Sequence, residues 1–196
     1  MKILNRIFNI SDVLFWSINM LVSTFTMCLK MRFVGVDYGK KNRFYGLTKF
    51  KKAALANIRL GRGCSFRSNH TSNLIGINRP CIISALEPNA DLTIGDNCGF
   101  SGTVVGCFER IVIGNNVRCG ANTLITDSDW HLNDPRAAKP RPVVIEENVW
   151  LGEGVKVLKG VRIGANSVIG AGSVVTKDIP ANVVAAGNPC LVIKNL

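Results

Sequence analysis

The sequence predicts an all-β chain, a parallel β-helix preceded by one amphipathic helix, and three observations carry that expectation. From Ile145 to Pro180 an aliphatic residue opens every block of six: Ile145, Leu151, Val157, Ile163, Ile169 and Val175. Three places after each opener stands Asn148, Gly154, Gly160, Asn166, Gly172 or Asp178, the residue types that most readily tolerate a left-handed backbone. Far upstream, Val13 to Leu29 carries no charge and repeats at helical spacing. A six-residue beat is neither the period of an α-helix nor the alternation of a half-buried strand. It describes a short flat strand and a tight corner, the unit of a parallel β-helix.

The amino-terminal helix is read from the polar set Asp12, Asn19, Ser23, Thr26 and Lys30, which lies opposite Leu14, Ile18, Leu21, Val22, Phe25 and Leu29. The run lacks alanine, which argues against a cleavable secretory signal. It is slightly short of the roughly 20 apolar residues that cross a bilayer and carries several hydroxyls. Its expected place is against the protein, against a neighbouring subunit, or in a membrane interface. Gly35 to Asn57 shows no convincing period and reads as a connecting segment with short extended pieces. The expected organisation is therefore residues 1–57 as helix and basic connection, and 58–196 as β-helix.

The first recognisable corner is Leu60 to Cys64, with Gly63 at the left-handed position. Phe66 to Glu87 is degenerate, with a turn at Asn78-Arg79-Pro80. Ile94 to Cys98 restores the beat, a one-residue slip near Glu109 resets it at Ile113, and Cys119 and Ile125 follow. The next opener is missing. Residues from about 127 to 142 are thus expected to form a loop expelled from the helix wall.

Composition narrows the chemistry. Seven cysteines, with no C-x-x-C pair and several on repeat positions (Cys64, Cys98, Cys119), read as reduced core thiols of a cytoplasmic protein. With only His70 and His131, one chain cannot supply three imidazoles to zinc. The formal charge of +11 is concentrated: Lys30, Arg32, Lys40, Lys41, Arg43, Lys49, Lys51, Lys52, Arg59, Arg62 and Arg67 are opposed by Asp37 alone. Such a block suits an anionic membrane surface, an anionic cofactor or a solvated face. Without interleaved aromatics or a binding motif it does not indicate nucleic acid.

Function is expected on the expelled loop, because the wall behind it is rigid and regular. It reads DSDWHLNDPR from Asp127, bringing an imidazole, three carboxylates and a tryptophan together. This loop, with NVW-x-G, GAGSVVTKDIP and AAGNP downstream, resembles the hexapeptide-repeat acyltransferases, especially sugar O-acetyltransferases of the galactoside, maltose and capsular polysaccharide type. The likeness covers about Asp91 to Lys194.

The resemblance implies a left-handed parallel β-helix working as a homotrimer, with acetyl-CoA in a groove between subunits and no metal. It places the catalytic base at His131. Asp129 and Asp127 are candidates to orient the imidazole or hold acceptor hydroxyls, their alternative being turn capping. Ser101 falls where the family carries an asparagine near the base. Trp150 lines the thioester end of the groove, Gly152 and Ala171 approach the pantetheine, and Thr176, Lys177 and Lys194 fall near the nucleotide end. The expected reaction is acetyl transfer to a sugar or polysaccharide-precursor hydroxyl. An amino sugar or antibiotic acceptor is the alternative within that chemistry, and a non-catalytic saccharide-binding scaffold the alternative outside it. The expected location is cytoplasmic, peripheral on the inner face of the membrane if the basic block and helix bind lipid.

Overall fold

The computed structural model describes residues 2–196, with side chains described from Val13 onward. One helix, α1 (Lys2–Val34), precedes twenty short strands. The strands fall into coils of three. The first is β1 (Asp37–Tyr38), β2 (Arg43–Tyr45) and β3 (Lys49–Lys52); the second β4 (Asn57–Leu60), β5 (Ser65–Arg67) and β6 (Ile82–Ala85); the third β7 (Asp91–Ile94), β8 (Gly99–Ser101) and β9 (Val104–Cys107). The fourth is β10 (Arg110–Ile113), β11 (Arg118–Ala121) and β12 (Leu124–Thr126), and the fifth β13 (Val143–Ile145), β14 (Trp150–Leu151) and β15 (Lys156–Val157). The sixth is β16 (Arg162–Ile163), β17 (Val168–Ile169) and β18 (Val174–Val175), after which β19 (Val183–Gly187) and β20 (Cys190–Asn195) end the chain.

Up to β18 every third strand stacks on the last, and the three sheets form the walls of a prism: β1-β4-β7-β10-β13-β16, β2-β5-β8-β11-β14-β17-β19-β20, and β18-β15-β12-β9-β6-β3. Only β20 runs antiparallel, folding back on β19. The six openers from Ile145 to Val175 all point inward and are fully buried. The amino-terminal coils use larger groups, with Phe44, Phe66 and Phe100 stacked face to face at 4.8 and 5.0 Å.

The corners explain the asparagines. Asn148 and Asn166 have φ of 57° and 61°, and Gly154, Gly160 and Gly172 are also left-handed. Asn148 donates to Asn166 and Asn166 to Asn182, each at 2.9 Å, so the corner residues form a ladder along the prism edge. Asp178 departs from the expected corner. Its backbone is not left-handed, and its carboxylate instead accepts the Arg162 amide at 2.7 Å.

One expectation about the amino-terminal third changes. Residues 35–57 are no connecting segment, because β1, β2 and β3 pair with β4, β5 and β6 and form the first coil. Its short strands and inward aromatics hide the aliphatic beat. The helix takes one of its expected places, against the protein. Met27 and Met31 are buried against the prism, and Ser23 and Thr24 hydroxyls accept the Gly46 and Phe44 amides at 3.2 and 3.0 Å. Ser23 of the polar set, with Thr24 beside it, thus meets the open edge of β2, where unpaired backbone amides need acceptors, whereas Thr26 and Lys30 of that set are exposed and the Asp12 side chain lies outside the described residues. Leu14, Ile18, Leu21, Val22, Phe25 and Leu29 remain exposed. By length and composition Val13–Val34 suffices to cross a membrane, further than its charge-free run indicated.

Two loops interrupt the walls. One is the expected excursion between Thr126 and Val143. The other, unforeseen as such, lies between Arg67 and Ile82 within the degenerate stretch.

Candidate active site

The 127–142 loop is anchored at its root by Asp127. This residue is fully buried, and its carboxylate accepts the backbone amides of Phe108, Glu109 and Arg110, each at 2.8 Å. Those amides belong to the bend between β9 and β10, where the repeat slips by one residue. Asp127 therefore does not face an acceptor or the imidazole; its oxygens are spent on the backbone. Beside it, burial first and the Asp127 charge second push the Cys107 thiol up, so that sulfur stays protonated and unreactive.

Trp130 follows with φ of 70°, a conformation costly for so large a side chain. Its amide is held by Ser128 Oγ at 3.2 Å, and its indole meets Phe108 edge to face at 5.2 Å. The ring lies over Gly106, where an added Cβ would stand only 2.4 Å from Cζ2. This fixed turn presents His131 outward. The imidazole is exposed in an open cleft of about 510 Å³ with Trp130, Leu132, Asn133 and Asp134.

The exposed loop carboxylates are each bonded to a cation other than His131. Asp129 binds the Lys159 ammonium and accepts the Ala138 amide at 3.2 Å, and the Lys159 bond is the main reason its carboxyl lies below the usual range. Asp134 is gripped by Arg136 at 2.7 and 2.9 Å, which brings its carboxyl down to about 2. Among the described residues His131 has no side-chain hydrogen-bond partner within its own chain.

A second cleft, of about 500 Å³, lies on another wall. Trp150, Gly152 and Ala171 line it together with Val168 and Asn73. The register Trp150↔Val168↔Val184 puts these side chains in one outward row of neighbouring strands. At Gly152 a Cβ would meet the Ala171 amide nitrogen at 2.6 Å, so stacked corners leave no room for a side chain. Ser101 is buried nearby and accepts a hydrogen bond from Asn73 Nδ2 at 3.1 Å. Asn73, on the second expelled loop, was invisible to repeat reasoning; the break between Phe66 and Cys81 was its only signal.

Three of the expected groove residues thus come together, and three stand apart. Thr176 and Lys177 are exposed beyond β18, and Lys194 lies on β20 opposite Val184. His131 is not in this cleft either. Its loop leaves between β12 and β13, whereas Trp150 and Val168 belong to the sheet containing β14 and β17. His70 is exposed and borders a separate polar cleft beside Asn19, Ser23 and Arg79.

Such a prism, with a six-residue beat, left-handed corners and two expelled loops, has the fold of a left-handed parallel β-helix. Residues 142–177 match the family model described as bacterial transferase hexapeptide (six repeats). Over 91 residues the chain is 56% identical to a galactoside O-acetyltransferase of Lactococcus lactis, covering 44% of each protein. Over 113 residues it is 41% identical to the galactoside O-acetyltransferase of Escherichia coli, covering 55% of each. The chain therefore spans about half the length of these relatives. Among solved structures, an N-acyltransferase from Bacillus cereus superimposes with a TM-score of 0.63 at 17% identity, over 85% of this chain and 87% of that one. A hexapeptide-repeat acetyltransferase from Vibrio cholerae does so with a TM-score of 0.52 at 21% identity, over 89% and 81%.

Proposed function

We propose that this chain is an acetyl-CoA-dependent O-acetyltransferase whose acceptor is a sugar or polysaccharide-precursor hydroxyl. The observation that carries the reading is His131, without a side-chain hydrogen-bond partner among the described residues and held outward by a strained, packed turn on a loop the repeat would otherwise lack. An imidazole can take a proton from an acceptor hydroxyl and later give it up near neutral pH. The hydroxyl oxygen attacks the thioester carbonyl, forming the ester bond as the carbon–sulfur bond breaks. The proton held on His131 passes to the departing sulfur. No protein nucleophile is needed.

In this reading Trp150, Gly152, Ala171 and Asn73 hold the pantetheine and thioester, while Lys177, Thr176 and Lys194 lie toward the phosphates. The imidazole and this cleft sit on different walls of one prism. A homotrimer supplies the missing half: the loop of one copy closes over the cleft of its neighbour, and acetyl-CoA lies between them. Asp129 and Asp127 then act through loop shape, and Ser101 through Asn73. Galactoside O-acetyltransferases among the relatives support a sugar hydroxyl as acceptor.

A coenzyme A release assay over a panel of saccharides and amines tests the reading. Release with saccharides that falls by roughly 10² to 10⁴ in His131→Ala supports it. Release with amines alone would move the acceptor to an amino sugar or antibiotic. No acetyl-CoA binding would leave a saccharide-binding scaffold.

A further inference from the structure

Helix α1 has two apolar faces, and the body uses only one. Met27 and Met31 are fully buried, with Ser23 and Thr24 on the same side bonded to β2. Opposite them, Leu14, Ile18, Leu21, Phe25 and Leu29 recur at spacings of three and four and form a continuous stripe. Their exposures are 46% to 68%, and Phe33 at the end of the stripe is 89% exposed. An apolar surface of this length on a protein of this size marks an interaction site.

Charge shows what meets it. The helix ends in Lys30 and Arg32, and the first coil, which is the terminal strand of every wall, carries Lys40, Lys41, Arg43, Lys49 and Lys51, all exposed. Among the described residues none of these seven is paired with a carboxylate, whereas Arg59 and Arg62 one coil further on pair with Asp91 and Asp96. The end of the prism that presents the free apolar stripe is thus ringed by uncompensated positive charge. A second copy of this chain would bring the same sign to the contact, and a neutral partner would leave the ring without a counter-charge. An anionic lipid bilayer satisfies both at once, with the stripe among the acyl chains and the ammonium groups at headgroup level.

We propose that the amino-terminal end of the prism is a docking surface for anionic membranes, with α1 lying in the interface rather than crossing the bilayer. A crossing would strip Ser23 and Thr24 from the β2 amides they satisfy. The docked helix keeps those bonds and buries only its free face.

Flotation of the full chain with phosphatidylcholine vesicles, with and without phosphatidylglycerol, tests this directly. The wild type floats with the anionic vesicles and is released by high salt. Leu21→Glu with Phe25→Glu abolishes flotation. Each of Lys40→Glu and Lys41→Glu weakens partitioning by at least about fivefold. All four positions are exposed, and light scattering with circular dichroism checks that assembly and fold persist. Wild type left in the supernatant with anionic vesicles overturns the proposal. Equal flotation of the Leu21→Glu, Phe25→Glu variant does so too. Loss of the native oligomer in that variant would instead assign the stripe to a second copy. None of these readouts depends on acetyl transfer.

Discussion

The ammonium of Lys159, projected from the corner after β15, binds the carboxylate of Asp129, two residues before His131. Its side chain is only 13% exposed, and it also donates to the Ala138 carbonyl at 3.2 Å. One rigid coil therefore grips both limbs of the expelled loop. Lys159→Met should leave the prism intact and loosen the loop, lowering kcat by roughly tenfold or more, since small misplacements of reacting groups are costly. Hydrogen exchange confined to residues 128–141, with an unchanged pH profile, would identify a positioning role.

Gly106 seats the indole of Trp130. Gly106→Ala adds a Cβ where the ring now lies, so the turn before His131 must move. We expect kcat to fall by about 10² at little cost in thermal stability. Steady-state kinetics beside a melting curve distinguishes this from unfolding.

Replacing Asp127 by Ala leaves three backbone amides without their acceptor in a buried place. The expected cost is about 3 kcal/mol, typical of lost charged hydrogen bonds, read by denaturant unfolding. Ile169→Ala, which hollows the prism interior, should cost roughly 2 to 5 kcal/mol. Asn166→Val, at a left-handed corner, should cost about 1 to 2 kcal/mol in backbone strain alone.

Acid should open the loop in a defined window. The carboxyls of Asp129 and Asp134 are depressed in the folded chain, so their contribution is present above the ordinary carboxylate value and lost as pH falls through the folded one. For Asp134 the window runs from the ordinary value near 4 down to about 2. Arg136→Ala should return Asp134 to the ordinary range, as a side-chain NMR titration would show.

The carboxyl-terminal coils were legible because their beat is written in single residues: Ile145 to Val175 point inward, and Asn148, Gly154, Gly160, Asn166 and Gly172 turn the corners. The loop that carries His131 was legible for the converse reason, as the largest failure of that beat. The first coil was not legible, because Phe44 and Phe50 fill the interior with rings and its strands differ in length. The helix was legible as two faces, but periodicity does not say which one the body takes. Here unsatisfied β2 amides decided in favour of Ser23 and Thr24. Asn73 escaped because its loop carries no repeat.

Those two hydroxyls have a further consequence. A coiled sheet has no natural end: the last strand offers its amides to another coil, or to another molecule, as readily as its predecessors did. By accepting the amides of Phe44 and Gly46, Thr24 and Ser23 occupy the edge on which an additional rung would template. At the opposite end, β20 turns back antiparallel on β19 and breaks the parallel register. With both edges of that wall stopped, its sheet offers no free strand on which a further copy could template.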